Sequence, residues 1–127
     1  MNIIISNTSD KPIYQQLFEQ ISAQIIKGEL ESDFCLPSIR TVAKELRISV
    51  IPVKQAWEEL ERAGFIYTRV GKGSFVASLL PDQLSSKRDE MATGKLKKEI
   101  AYYRGLGLSL EELLDLIRRH YNEQSRS

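Results

Sequence analysis

Three basic side chains stand where a polyanion could be gripped. Arg40 opens one short helical pattern, Lys54 lies in the first turns of the next, and Lys72 sits between two glycines. A cation on a rigid element neutralises a phosphate and releases a counterion, and a guanidinium can also fork onto a phosphate or a guanine edge. The 127 residues carry 18 Lys and Arg against 17 Asp and Glu, so the net charge of +1 selects no partner. Its distribution is more informative. Residues 34–80 hold Arg40, Lys44, Arg47, Lys54, Arg62, Arg69 and Lys72 against four carboxylates, a net of +3, while residues 1–33 come to −3 and 81–127 to +1. The middle third is the part suited to a polyanion, although a solvated face of mixed charge gives the same count.

Other chemistries find no constellation. Cys35 and His120 are each the sole residue of their type, which leaves no Cys/His zinc cage and no internal disulfide, so neither a metal nor a cofactor is expected. A lone cysteine fits a reducing, cytoplasmic compartment. Gly71-Lys72-Gly73 falls far short of a phosphate-cradling loop, and no nucleophile signature stands out, so an enzyme is not expected. No apolar run approaches the roughly 20 residues of a membrane span, and Met1–Ile5 is too short for a secretory signal. With 42% hydrophobic and 28% charged residues the chain reads as globular, with no membrane partner.

The elements that must position these cations are legible in the periodicity. Ile13, Leu17, Phe18, Ile21 and Ile25 share one face of a helix, with Asp10 as a plausible cap, Pro12 in the first turn and Gly28 as the stop. A connector follows, in which Cys35 and Leu36 are expected to tuck inward. Ser38 precedes a short helix with Ile39, Val42, Ala43 and Leu46 on one face. After the tight Arg47-Ile48-Ser49 junction, Ser49 caps a longer helix with Pro52 in its first turn and a core stripe of Val53, Ala56, Trp57 and Leu60. Trp57 belongs to that stripe and is read as packing, not base stacking. Gly64 ends the helix, and two helices so closely joined form a helix-turn-helix. Phe65–Arg69 and Ser74–Ala77 then read as strands, joined by the turn Val70-Gly71-Lys72-Gly73. The whole is a mainly α fold with a small β-hairpin, a winged helix-turn-helix, over residues 1–79.

From residue 80 the character changes. The stretch from Gln83 to about Arg104 is polar, with Leu84, Met91, Leu96, Ile100 and Tyr103 as sparse apolar positions, and Gly94 inside it is expected to bend or break the helix. Gly105-Leu106-Gly107 is a turn. Ser109 and Glu112 form a capping box, with Leu108 and Leu113 placed as a hydrophobic staple. Leu110, Leu113, Leu114, Ile117 and Tyr121 make an apolar stripe on the last helix. A helix hairpin alone buries too little to be stable, so this stripe must pack on something, the winged domain being the simplest candidate from the residues alone. Tyr102 with Tyr103 could edge a site for a small-molecule effector between tail and wing domain, although one packed and the other exposed is the simpler reading.

The residues from Pro12 to Ala77 resemble the DNA-binding domain of the GntR family of bacterial transcription regulators. The resemblance rests on Pro12-Ile13-Tyr14-Gln15-Gln16-Leu17, Gly28-Glu29-Leu30, Leu36-Pro37-Ser38-Ile39-Arg40, Ala43-Lys44-Glu45-Leu46, the run from Ala56 to Ile66, and Gly71-Lys72-Gly73-Ser74-Phe75-Val76, all in order. The short tail, with Gly107-Leu108-Ser109 and a Glu-Glu-Leu-Leu helix, looks like that of the YtrA-like subfamily. This implies a DNA-binding domain over 1–79 and a two-helix dimerisation tail over 80–127, dimerising through Ile100, Tyr103 and the stripe of the last helix. It further implies a homodimeric regulator, most simply a repressor, on a palindromic operator. Its DNA contacts would come from Ser38, Arg40, Ser49, Val50, Ile51, Pro52, Lys54, Arg69, Gly71, Lys72 and Gly73. Val50-Ile51-Pro52 replaces residues that are usually polar in the family, and can offer thymine methyls a contact or fill the groove, but cannot donate to bases. Lys54 matches a position where an arginine often reads a base, and an ammonium there is equally a phosphate contact. A winged-helix module that binds protein instead of DNA is the alternative.

Overall fold

Pro12, not Asp10, stands at the head of α1 (Ile13–Ile26) in the computed structural model, which describes residues 1–124. No side chain caps this helix; the Pro12 carbonyl accepts from the backbone N–H groups of Gln15 and Gln16. Leu17, Ile21 and Ile25 are buried on one face, as their spacing requires. The opposite use of the same helix was not anticipated. Gln16, Gln20 and Gln24, one turn apart, each grip one residue of the extended N-terminal segment through both backbone groups. Gln24 binds Asn2, Gln20 binds Ile4 and Gln16 binds Ser6, each side-chain amide accepting from the N–H and donating to the carbonyl. The match is geometric: four helical residues rise about 6 Å, close to the rise of two strand residues.

The helix-turn-helix is made by α2 (Ile39–Leu46) and α3 (Val50–Arg62). Ser38 caps α2 by accepting from the Thr41 N–H at 3.1 Å. Ser49 caps α3 by accepting from the Ile51 N–H at 3.2 Å, and Pro52, which has no N–H, leaves one fewer donor unsatisfied there. The turn between them closes on Arg47, which takes the left-handed conformation (φ +57°), while the Ile48 N–H reaches back to the Ala43 carbonyl. Val42, Ala43, Val53, Ala56, Trp57 and Leu60 pack with the α1 stripe into one core. Trp57 is buried in it, as read from the sequence.

Strands β1 (Ile66–Arg69) and β2 (Gly73–Val76) pair antiparallel, with Ile66 opposite Val76 and Arg69 opposite Gly73. Ile66 and Val76 are buried against the core, so Tyr67, Arg69 and Phe75 stand on the other face. The connector is not a free loop. It pairs with the outer edge of β2: Leu36 N–H donates to Ser74, and Val76 N–H to Phe34. Leu36 is buried, but Cys35 is exposed, which corrects the expectation that both tuck inward. In an extended segment neighbours point to opposite faces, so only one of the two can enter the core.

The chain divides into two units, Met1–Ser85 and the part from Ser86 on. Helix α4 (Pro81–Gly105) runs through Gly94 without the break that the glycine could have caused. One glycine costs about 1 kcal/mol, less than the remaining turns supply, and a Cβ there would meet no neighbour. Gly107 (φ +87°) makes the turn into α5 (Leu110–Gln124). No helix of the described residues is long and apolar enough to cross a membrane.

Candidate nucleic-acid interface

Arg40 and Lys72, far apart in sequence, line one cleft of about 430 Å³ between the start of α2 and the wing. Leu36 to Ile39 form one wall, Gly73 and Ser74 another, and Trp57 of α3 the floor. Both cations are exposed, with no carboxylate in ion-pair range among the described residues. No ion pair to a neighbouring Glu therefore occupies the Arg40 guanidinium. Ser38 lies in the same cleft, its hydroxyl donating to Thr41 Oγ1 at 2.8 Å while it caps α2. Gly73 (φ +112°) sits where a Cβ would meet Cys35 Sγ at 3.8 Å, and Gly71 takes φ +77° in the three-residue wing turn. Both glycines allow the wing backbone to approach a surface without side-chain obstruction.

Along α3, the buried stripe of Val53, Ala56, Trp57 and Leu60 fixes which residues face out. Ile51 is 72% exposed and Val50 46%, unusual for aliphatic side chains on a helix that packs in a core. Lys54 is exposed on the flank that carries Trp57 one turn later, so it shares a side with the Arg40–Lys72 cleft. Ser49 is exposed and committed to its cap; Pro52 is half-buried.

Arg69 is placed differently from the other wing residues. It lies over the stacked rings of Tyr67 and Phe75, 5.8 and 5.7 Å from their centroids, on the hairpin face away from the core. The Tyr67 hydroxyl donates to Asp33 at 2.7 Å, and this bond, foremost, raises the phenol above its ordinary value. Asp33 and this aromatic platform were missed in the sequence reading; the alternation Tyr67, Arg69 opposite Phe75 was the available signal. Gln55 lies one turn after Ile51, exposed on the same outward face.

In the second unit the Ser109–Glu112 capping box forms as read, each backbone N–H donating to the other's side chain at 3.0 and 3.2 Å. From Ser86 on, no described residue is buried. Leu110 is 68% and Tyr121 74% exposed; Ile100 and Ile117 are exposed as well, while Tyr103, Leu113 and Leu114 are half-buried. Leu96, Tyr102 and Leu106 add exposed apolar surface that the sequence reading did not assign to this face. A hollow of about 520 Å³ lies at the α4–α5 turn among Ile100, Arg104, Leu108, Ser109, Leu110 and Leu113.

The pattern that defines the bacterial regulatory proteins of the gntR family matches residues 13–76, the segment that builds the helix-turn-helix and wing. The chain belongs to the GntR family. The transcriptional repressor YtrA of Bacillus subtilis is 31% identical to it over 116 residues, 91% of this chain and 89% of that one. The crystal structure of a transcriptional antiterminator from Listeria monocytogenes superposes with a TM-score of 0.76 at 32% identity, covering 95% of this chain and 90% of that one. The DNA-binding domain of AraR, solved in complex with its operator ORX1, has a TM-score of 0.53 at 25% identity, over 61% of this chain and 96% of that one. Some longer relatives match over 73 to 85 residues, and the chain spans under a third of their length. The YtrA-like GntR chain is thus a transcription regulator with a DNA-binding winged helix, not an enzyme.

Proposed function

We propose that this GntR-family protein is a cytoplasmic homodimeric repressor that grips an inverted-repeat operator, with residues 1–79 on the DNA and 80–127 holding two copies together. The observation that carries the DNA contact is the cleft shared by Arg40 and Lys72, beside the exposed start of α3. Ser38, Arg40, Lys72 and the backbone at Gly71 and Gly73 would hold the phosphate rail, while Val50, Ile51 and Lys54 enter the major groove behind the Ser49 cap. Pro52 shapes the first turn of that helix. Arg69, over its aromatic pair, would meet phosphate from the outer face of the wing. The tail supports the dimer because its apolar stripe is uncovered. A two-fold axis through Ile100, Tyr103, Leu110, Leu113, Leu114, Ile117 and Tyr121 would set two recognition helices about 34 Å, one DNA turn, or a multiple apart. The repressor role follows that of the Bacillus relative, the transcriptional repressor YtrA. The hollow at the α4–α5 turn is roomy enough for a small effector.

The test is a titration of duplex DNA from upstream of the protein's own gene, at several salt concentrations, with wild type and Arg40→Ala. Wild-type affinity should fall steeply as salt rises, and Arg40→Ala should bind all duplexes about tenfold more weakly, with a shallower salt slope by about one. Salt-insensitive or absent binding would instead favour a protein-binding module.

A further inference from the structure

We infer that Gln55 reads an adenine in each half-site, with Ile51 on a thymine methyl one turn before it. The inference rests on the DNA-binding reading above and names the sequence class that reading leaves open. The outward face of α3 is divided in charge. Its first half presents Ile51, Lys54 and Gln55, and its second half Glu58, with Glu59 paired to Arg62 and Glu61 beside them. Carboxylates are repelled by the phosphate rails, so the N-terminal half is the part that can sit deep in a major groove. Within that half, few side chains can exchange hydrogen bonds with base edges. The Ser49 hydroxyl is occupied as the cap of α3, and Val50, Ile51 and Pro52 have no polar atom. Lys54 offers a point charge without a geometric preference, on the flank toward the cleft. Gln55 remains. It is exposed, its amide bonds to no other group among the described residues, and it lies opposite the buried Val53–Trp57 stripe.

A side-chain amide carries one donor and one acceptor in a plane, the complement of the N7 acceptor and N6 donor that adenine shows in the major groove; no other base offers that pair. Ile51 stands one helical turn away on the same face, about 6 Å along the axis, within reach of a neighbouring base pair and its thymine methyl. The half-site core is therefore rich in A·T pairs.

Selection of bound duplexes from a random pool, with wild type and Gln55→Ala, tests this. Alanine favours the helix and the site is exposed, so circular dichroism should show the variant folded. Wild type should select a fixed A in each half-site. Gln55→Ala should lose that preference alone, with about a tenfold drop on the wild-type sequence and little change on a duplex substituted at that position. A wild-type pool with no fixed A, or an unchanged preference in the variant, would overturn the assignment, as would an equal loss on every duplex, which marks a phosphate contact. Failure of wild type to bind any duplex at low salt would sink the DNA-binding reading itself, and this one with it.

Discussion

Single residues in this chain act mainly by supplying what a neighbouring backbone lacks. Glu112 accepts from the Ser109 N–H at the head of α5, and that bond first, the Ser109 hydroxyl second, holds its carboxyl below the ordinary carboxylate value. A depressed folded value means that the charged form supports the helix at neutral pH. That support is complete above the unfolded carboxyl's titration and is lost as pH falls through the lower, folded one. Helicity of the tail should accordingly decline on acidification, and the Glu112 carboxyl, followed by NMR, should titrate below a free glutamate. Ser109→Ala keeps the backbone N–H and removes only the hydroxyl, so it should move that midpoint part of the way upward; an unmoved midpoint would leave the backbone N–H as the whole cause. Arg47 does the reverse, contributing a backbone shape that a β-carbon disfavours, because the short turn of the helix-turn-helix requires it.

Among the elements, α1 does two jobs with two faces. Its apolar stripe packs on α3, and its glutamine row holds the N-terminal segment. Gln16 matters most, being only 7% exposed, with its amide shared between Ser6 and the Lys11 carbonyl. Removing residues 1–6 strips both Ser6 groups from it, and Gln16→Ala removes the amide that holds the Ser6 N–H and the Ser6 and Lys11 carbonyls. Each change should cost about 1–3 kcal/mol, read as a lower midpoint in denaturant. Gln24→Ala, at the exposed end of the row, should cost well under 1 kcal/mol. Equal effects at the two positions would mean that burial does not govern the row.

At the scale of the molecule, the two units differ in what they bury. The first holds all the buried residues described; the second holds none and exposes long aliphatic and aromatic side chains. Such a surface is more than two helices can keep in water alone, which is the ground on which a second copy is proposed. Leu110→Glu introduces a charge at a position already 68% exposed in one subunit. It should leave the subunit folded and lower the sedimentation mass from dimer to monomer. DNA binding should then weaken as the two half-sites uncouple. A dimer that survives the charge would place the association surface elsewhere.

What the sequence determined by itself is local. Caps at Ser38, Ser49 and Ser109, stops at Gly28 and Gly64, the stripes of α1 to α3 and the hairpin turn all depend on residues within a turn or two of one another. Periodicity and cap chemistry report those directly. The family motifs are legible for the same reason. Arg40 and Lys54 follow from them, and Lys72 from the wing. What only the tertiary structure decided is which separate pieces meet. It joined Arg40 to Lys72 across one cleft, paired Phe34–Leu36 with β2, laid Asn2–Ser6 along the glutamine row, and set Arg69 over Tyr67 and Phe75. Those contacts run through backbone groups and exposed side chains, which leave no apolar period in the sequence. Gly94 shows the complementary limit: a propensity of about 1 kcal/mol breaks a helix only where nothing else holds it, and the turns on either side hold α4.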